Sequence, residues 1–136
     1  MKRTETHAIV PVGFEGLVDD WHASPAVVSG DHIFLYGFNG CPLNGTPSAD
    51  AKQQIETAFE KVTTVLRAAG LDWGNVVDMT SFHVGLPSHF PAFRAVRDRH
   101  VQPPYPAWTA VEVAGLAIPG AIVELKIVAR LPGAAS

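Results

Sequence analysis

Pro103-Pro104-Tyr105-Pro106-Ala107-Trp108-Thr109-Ala110-Val111, read with Val123-Glu124-Leu125-Lys126-Ile127-Val128-Ala129, decides the fold. A proline-stiffened turn leads into a short β-prone run, and a loop carrying Pro119-Gly120 leads to a longer one. Successive strand residues point to opposite faces of a sheet. In the longer run Val123, Leu125, Ile127 and Ala129 therefore make an aliphatic face, with Glu124, Lys126, Val128 and Arg130 opposite. In the shorter run Thr109, Val111 and Val113 are expected on the aliphatic side, and Trp108, Ala110 and Glu112 beside Glu124. This second face is too apolar to be fully wet and too charged for a core. Two readings fit it: a subunit interface enclosing a polar cleft, or an open sheet face with a scattered aromatic.

Working outward, Ala26-Val27-Val28-Ser29 and His32-Ile33-Phe34-Leu35-Tyr36 flank Gly30-Asp31, the pattern of a hairpin. Residues 1–25 read as an irregular N-terminal segment, and Phe38 to Pro47, with Asn39-Gly40 and Asn44-Gly45 among prolines, as a loop. Asp50 then caps a helix, with Gln53 as its capping-box partner. Ile55, Phe59, Val62, Leu66 and Ala69 recur at helical spacing, and Gly70 supplies a left-handed stop. Val76 to Val84 follows as a strand, parallel to its neighbour because a helical crossover separates them. Ser88 is expected to cap a second helix through His100, with Pro91 in its first turn. The order β-β-α-β-α-β-β implies an α+β fold: a mixed sheet with two helices packed on one face.

A length of 136 residues suits one domain, which buries roughly two thirds of the surface its unfolded chain exposes. No apolar stretch approaches the ~20 residues of a transmembrane helix, and the start lacks the apolar core of a signal peptide. Cys41 is the only cysteine, so no intramolecular disulfide forms and a cytoplasmic location is expected. The net charge of −3 argues against a nucleic-acid surface.

The ordered set of Gln53 to Ala69, Gly70-Leu71-Asp72-Trp73-Gly74-Asn75-Val76-Val77-Asp78, Pro104-Tyr105-Pro106-Ala107 and Val123-Glu124 resembles the reactive intermediate deaminase (Rid, YjgF-like) family. The likeness extends over nearly all of the chain after Ala26. It is nearest to the branch that lacks the family's arginine, typified by YjgH. The resemblance implies a chorismate-mutase-like fold and a homotrimer with clefts between subunits. In the active deaminases a cleft arginine holds the substrate carboxylate, and a water associated with a glutamate attacks the C=N carbon of a 2-imino acid. Glu124 matches that glutamate. Trp108 stands at the arginine, Ala110 where many relatives have cysteine, and Tyr36-Gly37 where they have Ser-Gly. Trp21-His22-Ala23-Ser24-Pro25-Ala26 matches a family segment, keeping its serine and losing its tyrosine.

These positions define the expected site: Glu124 as the catalytic group, and Trp108, Ala110, Tyr36, Ala23, Ser24 and Trp21 as binding residues. Lys126 or Arg94 is a candidate replacement cation. The expected ligand is a small, uncharged or aromatic metabolite, and small 2-imino acids are expected to be poor substrates because Trp108 offers a carboxylate no charge. The alternatives are a non-catalytic small-molecule-binding trimer and, ranked last, an endoribonuclease. Six histidines show no metal-ligand spacing, so no metal or cofactor is expected. His83 and His100 read as packed or capping histidines, and a Ser24–His83–Asp78 triad is disfavoured.

Overall fold

In the computed structural model, residues 6–133 are described, and they form one mixed sheet with its two long helices on one side. The strands are β1 (His7–Ile9), β2 (Ala26–Ser29), β3 (His32–Leu35), β4 (Phe38–Asn39), β5 (Val76–His83), β6 (Ala107–Glu112) and β7 (Val123–Arg130). The helices are α1 (Glu15–Trp21), α2 (Ala51–Ala68) and α3 (Leu86–Asp98). The sheet order is β1-β2-β3-β7-β5-β6, with β4 paired to the end of β7. β5 runs parallel to β6, as its helical crossover requires, and antiparallel to β7.

The apolar spacing of α2 brings Ile55, Phe59, Val62 and Leu66 to full burial against Leu125, Ile127 and Ala129 of β7. Gly70, at φ +77°, ends the helix, where the Leu71 N–H reaches back to the Leu66 carbonyl at 2.9 Å. Asp50 is the cap and accepts from the Lys52 N–H at 3.2 Å. The capping box is not formed, because Gln53 turns along the helix to Thr57. Beyond α2, Asp72 and Asn75 make such a box around a single 3-10 turn, Trp73–Asn75.

Four further expectations are corrected. Within the described part of the N-terminal segment, β1 extends the hairpin and α1 supplies a short third helix with no buried residue. Phe38–Asn39 leaves the loop state to pair with Leu125 and Glu124. α3 starts at Leu86 rather than Ser88, since Gly85 caps it in a left-handed conformation, and Pro91 lies inside the helix. The fourth concerns β6. Its register sets Trp108 beside Met79 and Ala110 beside Ser81, both on the buried, helix-covered face. Thr109 and Val111 share the opposite face with Phe82, the cross-strand partner of Glu124. Trp108 and Glu124 thus stand on opposite sides of one sheet.

Candidate functional site

Glu124 lies near the start of β7, opposite Asn39 on one side and Phe82 on the other. Its carboxyl rests against Gly37: a Cβ there would sit 3.1 Å from Glu124 Cδ and closer still to Oε2, so a side chain at 37 would move the carboxylate from this place. Together they line an open groove of ≈ 360 Å³. Tyr36 and Trp21 complete one wall, and Lys61 reaches in from α2. Tyr36 is held by an edge contact with Phe38, ring centroids 5.4 Å apart.

Burial opposes charge on every ionisable group here. It raises the Glu124 carboxyl, and the positive charges of Lys61 and Lys126 pull the other way. It lowers the Lys61 ammonium to about 8, against the attraction of Cys41 and Glu124. The Tyr36 hydroxyl is raised by burial and by the Glu124 charge. Lys61 Nζ donates to Asn39 Oδ1 at 2.9 Å, and that oxygen also accepts from the Cys41 N–H at 3.0 Å. The groove therefore joins a carboxyl inclined to hold a proton to an amine inclined to lose one, the pairing of acid and base character that proton transfer uses.

Of the residues expected at the site, Glu124, Tyr36 and Trp21 come together in this groove, while Ala23 and Ser24 do not line it. Trp108 belongs elsewhere. Its Nε1–H donates to Ser81 Oγ at 2.9 Å, its indole lies beside Phe90 and Phe93, and the Arg97 guanidinium stands 4.1 Å over the ring. Ala110 follows it on the same face, next to Ser81. Lys126 donates to the Leu35 carbonyl and is engaged. Arg94 is exposed beside Asp98, at 3.5 Å, and lines a second groove next to Trp108. Lys61 was missed, because a lysine on an amphipathic helix ordinarily reads as solvated.

Ser81 continues into a buried chain. His83 Nε2 lies 2.8 Å from Ser81 Oγ, and His83 Nδ1 lies 3.0 Å from His89 Nε2. Burial first, and the neighbouring His89 second, lower His83 to about 4. His83 makes no triad with Ser24, since its partners are Ser81 and His89. His100 caps α3 through the Val96 carbonyl at 3.0 Å and stacks on Phe59. Among the described residues no three His, Cys, Asp or Glu side chains gather as a metal site.

With this geometry in place, comparison with known proteins is decisive about kinship. The family model for endoribonuclease L-PSP matches residues 21–131. This chain belongs to that family. It is 38% identical to the RutC family protein YjgH of Escherichia coli (strain K12) over 129 residues, 94% of this chain and 97% of that protein. The solved structure of YjgH superimposes with a TM-score of 0.86 at 37% identity, covering 96% of this chain and 99% of the other. A Mycobacterium tuberculosis member of the YjgF/YER057c/UK114 family shares the fold, with a TM-score of 0.77 at 22% identity over 93% of this chain and 100% of its own. The Rid-like resemblance and the mixed α+β architecture both stand. Among the described residues no helix is long and apolar enough to cross a membrane.

Proposed function

We propose that this family member acts in the cytoplasm as a homotrimer. In its inter-subunit clefts it binds a small metabolite with an apolar or aromatic body and hydrolyses a C=N bond there. The observation that carries this reading is the Glu124 carboxyl, half-buried against Gly37 in a groove shared with Tyr36, Trp21 and Lys61. The half-apolar sheet face bearing Phe34, Phe82, Val111 and Val128 favours association. Since Trp108 and Glu124 lie on opposite faces, a cleft using both takes them from two subunits.

In the proposed reaction Glu124 accepts a proton from water as the water oxygen bonds to the imine carbon, and the C=N electron pair moves to nitrogen. The same carboxyl returns that proton to nitrogen, giving a carbinolamine; it then takes the hydroxyl proton and passes it to nitrogen as the C–N bond breaks and the C=O bond forms, and ammonia and a carbonyl compound leave. An enamine first takes a proton on carbon to become the imine. The reading predicts that Glu124→Gln lowers kcat by ~10²–10⁴, the usual contribution of a positioned acid/base group. Because burial raises this carboxyl, wild-type turnover should fall as pH drops through a value above the ordinary carboxylate range. A panel of imines and enamines with no Glu124-dependent turnover would leave the non-catalytic binding trimer as the better reading, which the tryptophan at the arginine position favours. Light scattering should return three chain masses; a stable monomer would remove the cleft. Endoribonuclease chemistry is not adopted: His83 and His89 form a close pair, yet they are 0% and 5% exposed and out of reach of a polynucleotide.

A further inference from the structure

The groove beside Glu124 holds a nucleophile that the proposed hydrolysis leaves unused. Lys61 stands three residues after Ala58 and four before Val65, both fully buried, so its stem borders the apolar stripe of α2. The side chain passes along Phe38, with Nζ 5.8 Å from the ring centroid, and enters the groove. Its hydrogen bond there goes to the neutral Asn39 Oδ1, at 2.9 Å. Among the described residues Nζ belongs to no ion pair; those pairs are made by Arg94, Arg97 and Arg99. One N–H is thus used for orientation, and the lone pair of the neutral amine stays free. Leu17, Trp21 and Ile118 supply apolar wall to the same space. Lys52 is exposed at the start of the same helix, Lys126 is tied to the Leu35 carbonyl, and neither lines the groove.

We infer that Lys61 is a carbonyl-capturing amine, which forms an imine in this groove with an aldehyde or ketone whose apolar or aromatic body lies along the apolar wall. Nζ bonds to the carbonyl carbon, the C=O electron pair moves to oxygen, and a nitrogen proton reaches that oxygen through solvent, giving a carbinolamine. The hydroxyl then leaves as water with the second nitrogen proton, and the C=N bond forms. A desolvated lysine suits this step because only the neutral amine attacks carbon. At pH 8 about half of Lys61, lowered to about 8, is neutral, against roughly 0.3% of an ordinary lysine at 10.5. The capture shares the groove with the function proposed above and does not require the hydrolysis. Its ligand is a carbonyl compound, the class that C=N hydrolysis releases, here held covalently.

The test is reductive trapping of the full chain with limiting benzaldehyde and cyanoborohydride at pH 8, the benzylated lysines being located and timed by peptide mass spectrometry. Lys61 should be labelled at least about tenfold faster than Lys52, a conservative share of its ~10²-fold excess of neutral amine. Benzyl alcohol, which keeps the aromatic body without the carbonyl, should slow Lys61 and leave Lys52 unchanged. Lys61→Arg should lose the fast label while Lys52 is labelled as before. The first two comparisons are made within the wild-type chain, so the test stands if that variant fails to fold. Lys61 labelled no faster than Lys52, or at a rate that benzyl alcohol does not slow, overturns the capture site. The outcome is separable from that for Glu124. Glu124-dependent turnover of an imine, with Lys61 labelled only as fast as Lys52, sinks the capture site alone. Fast, protectable labelling of Lys61 without such turnover sinks the Glu124 mechanism alone.

Discussion

The two faces of β7 differ more than any two separate parts of the molecule, although they alternate residue by residue. Val123, Leu125, Ile127 and Ala129 are each 0% exposed beneath the helices. Glu124, Lys126 and Val128 are half-buried in the same strand. One face is finished by α2 and α3; the other is left with charges that burial already disturbs, and neither long helix packs on it. A strand buried on one face only can hold reactive groups within ångströms of a close-packed core without weakening it. Stability and chemistry should therefore respond to different substitutions.

The sharpest way to break this contrast is Phe59→Ala. Phe59 is fully buried at the meeting of α2, Trp73, Phe93 and His100, with ring centroids 4.8–5.5 Å away. Its loss should cost ~3–5 kcal/mol, the range for an aromatic removed from a core. Glu124→Gln, similar in volume and on the unfinished face, should cost under about 1 kcal/mol. Denaturant midpoints in the reverse order would show that the core lies on the other side of the sheet.

Acid should act next most strongly, through the buried Ser81–His83–His89 chain. His83 has an ordinary value of 6.5 and is lowered to about 4 in the fold, so the unfolded chain binds the extra proton between those limits. Stability should be insensitive to this group above pH 6.5 and fall as pH drops toward 4, by about 3 kcal/mol in total. Imidazole NMR should find His83 neutral at pH 5.5. A midpoint near 6.5 would mean that water reaches this chain.

How much of this was legible beforehand depended on whether one strand or helix carried its own pattern. Ile55 to Leu66 and Val123 to Ala129 could be read directly, because each element has one wholly apolar side. β6 could not: Trp108-Ala110-Glu112 and Thr109-Val111-Val113 are both mixed, and periodicity cannot choose between them. Trp108 is turned to the helices by neighbours distant in sequence, Phe90, Phe93 and Arg97 on α3, and by Ser81 on β5. The His83–His89 contact joins a strand to the following helix at a spacing no local rule marks. α1 has no fully buried residue, and its apolar positions, Leu17, Val18 and Trp21, span too few turns to mark a helix. At the candidate site, Glu124 was readable by resemblance, whereas Lys61 depends on Asn39 lying across the groove, a tertiary fact.

Lys61 provides the finest test, because its expected effect is small at neutral pH. The ammonium is lowered to about 8 from an ordinary 10.5, mainly by burial. Between those limits the unfolded chain holds a proton that the folded chain has released. Folding stability should therefore rise with pH from 8 toward 10.5, as the cost of keeping a buried charge is relieved. Below pH 8 both states carry the proton, and the fold bears that cost in full, partly offset by Glu124 and the Asn39 hydrogen bond. Lys61→Met removes the cost and these partners together, so the net change at pH 7 should stay within about 1 kcal/mol, as when buried ions give way to apolar isosteres. The difference appears on the alkaline side. Wild-type denaturant midpoints should climb relative to Lys61→Met between pH 8 and 10. Parallel profiles would mean that Lys61 is solvated, and that the groove beside Glu124 is as open as the strand edge around it.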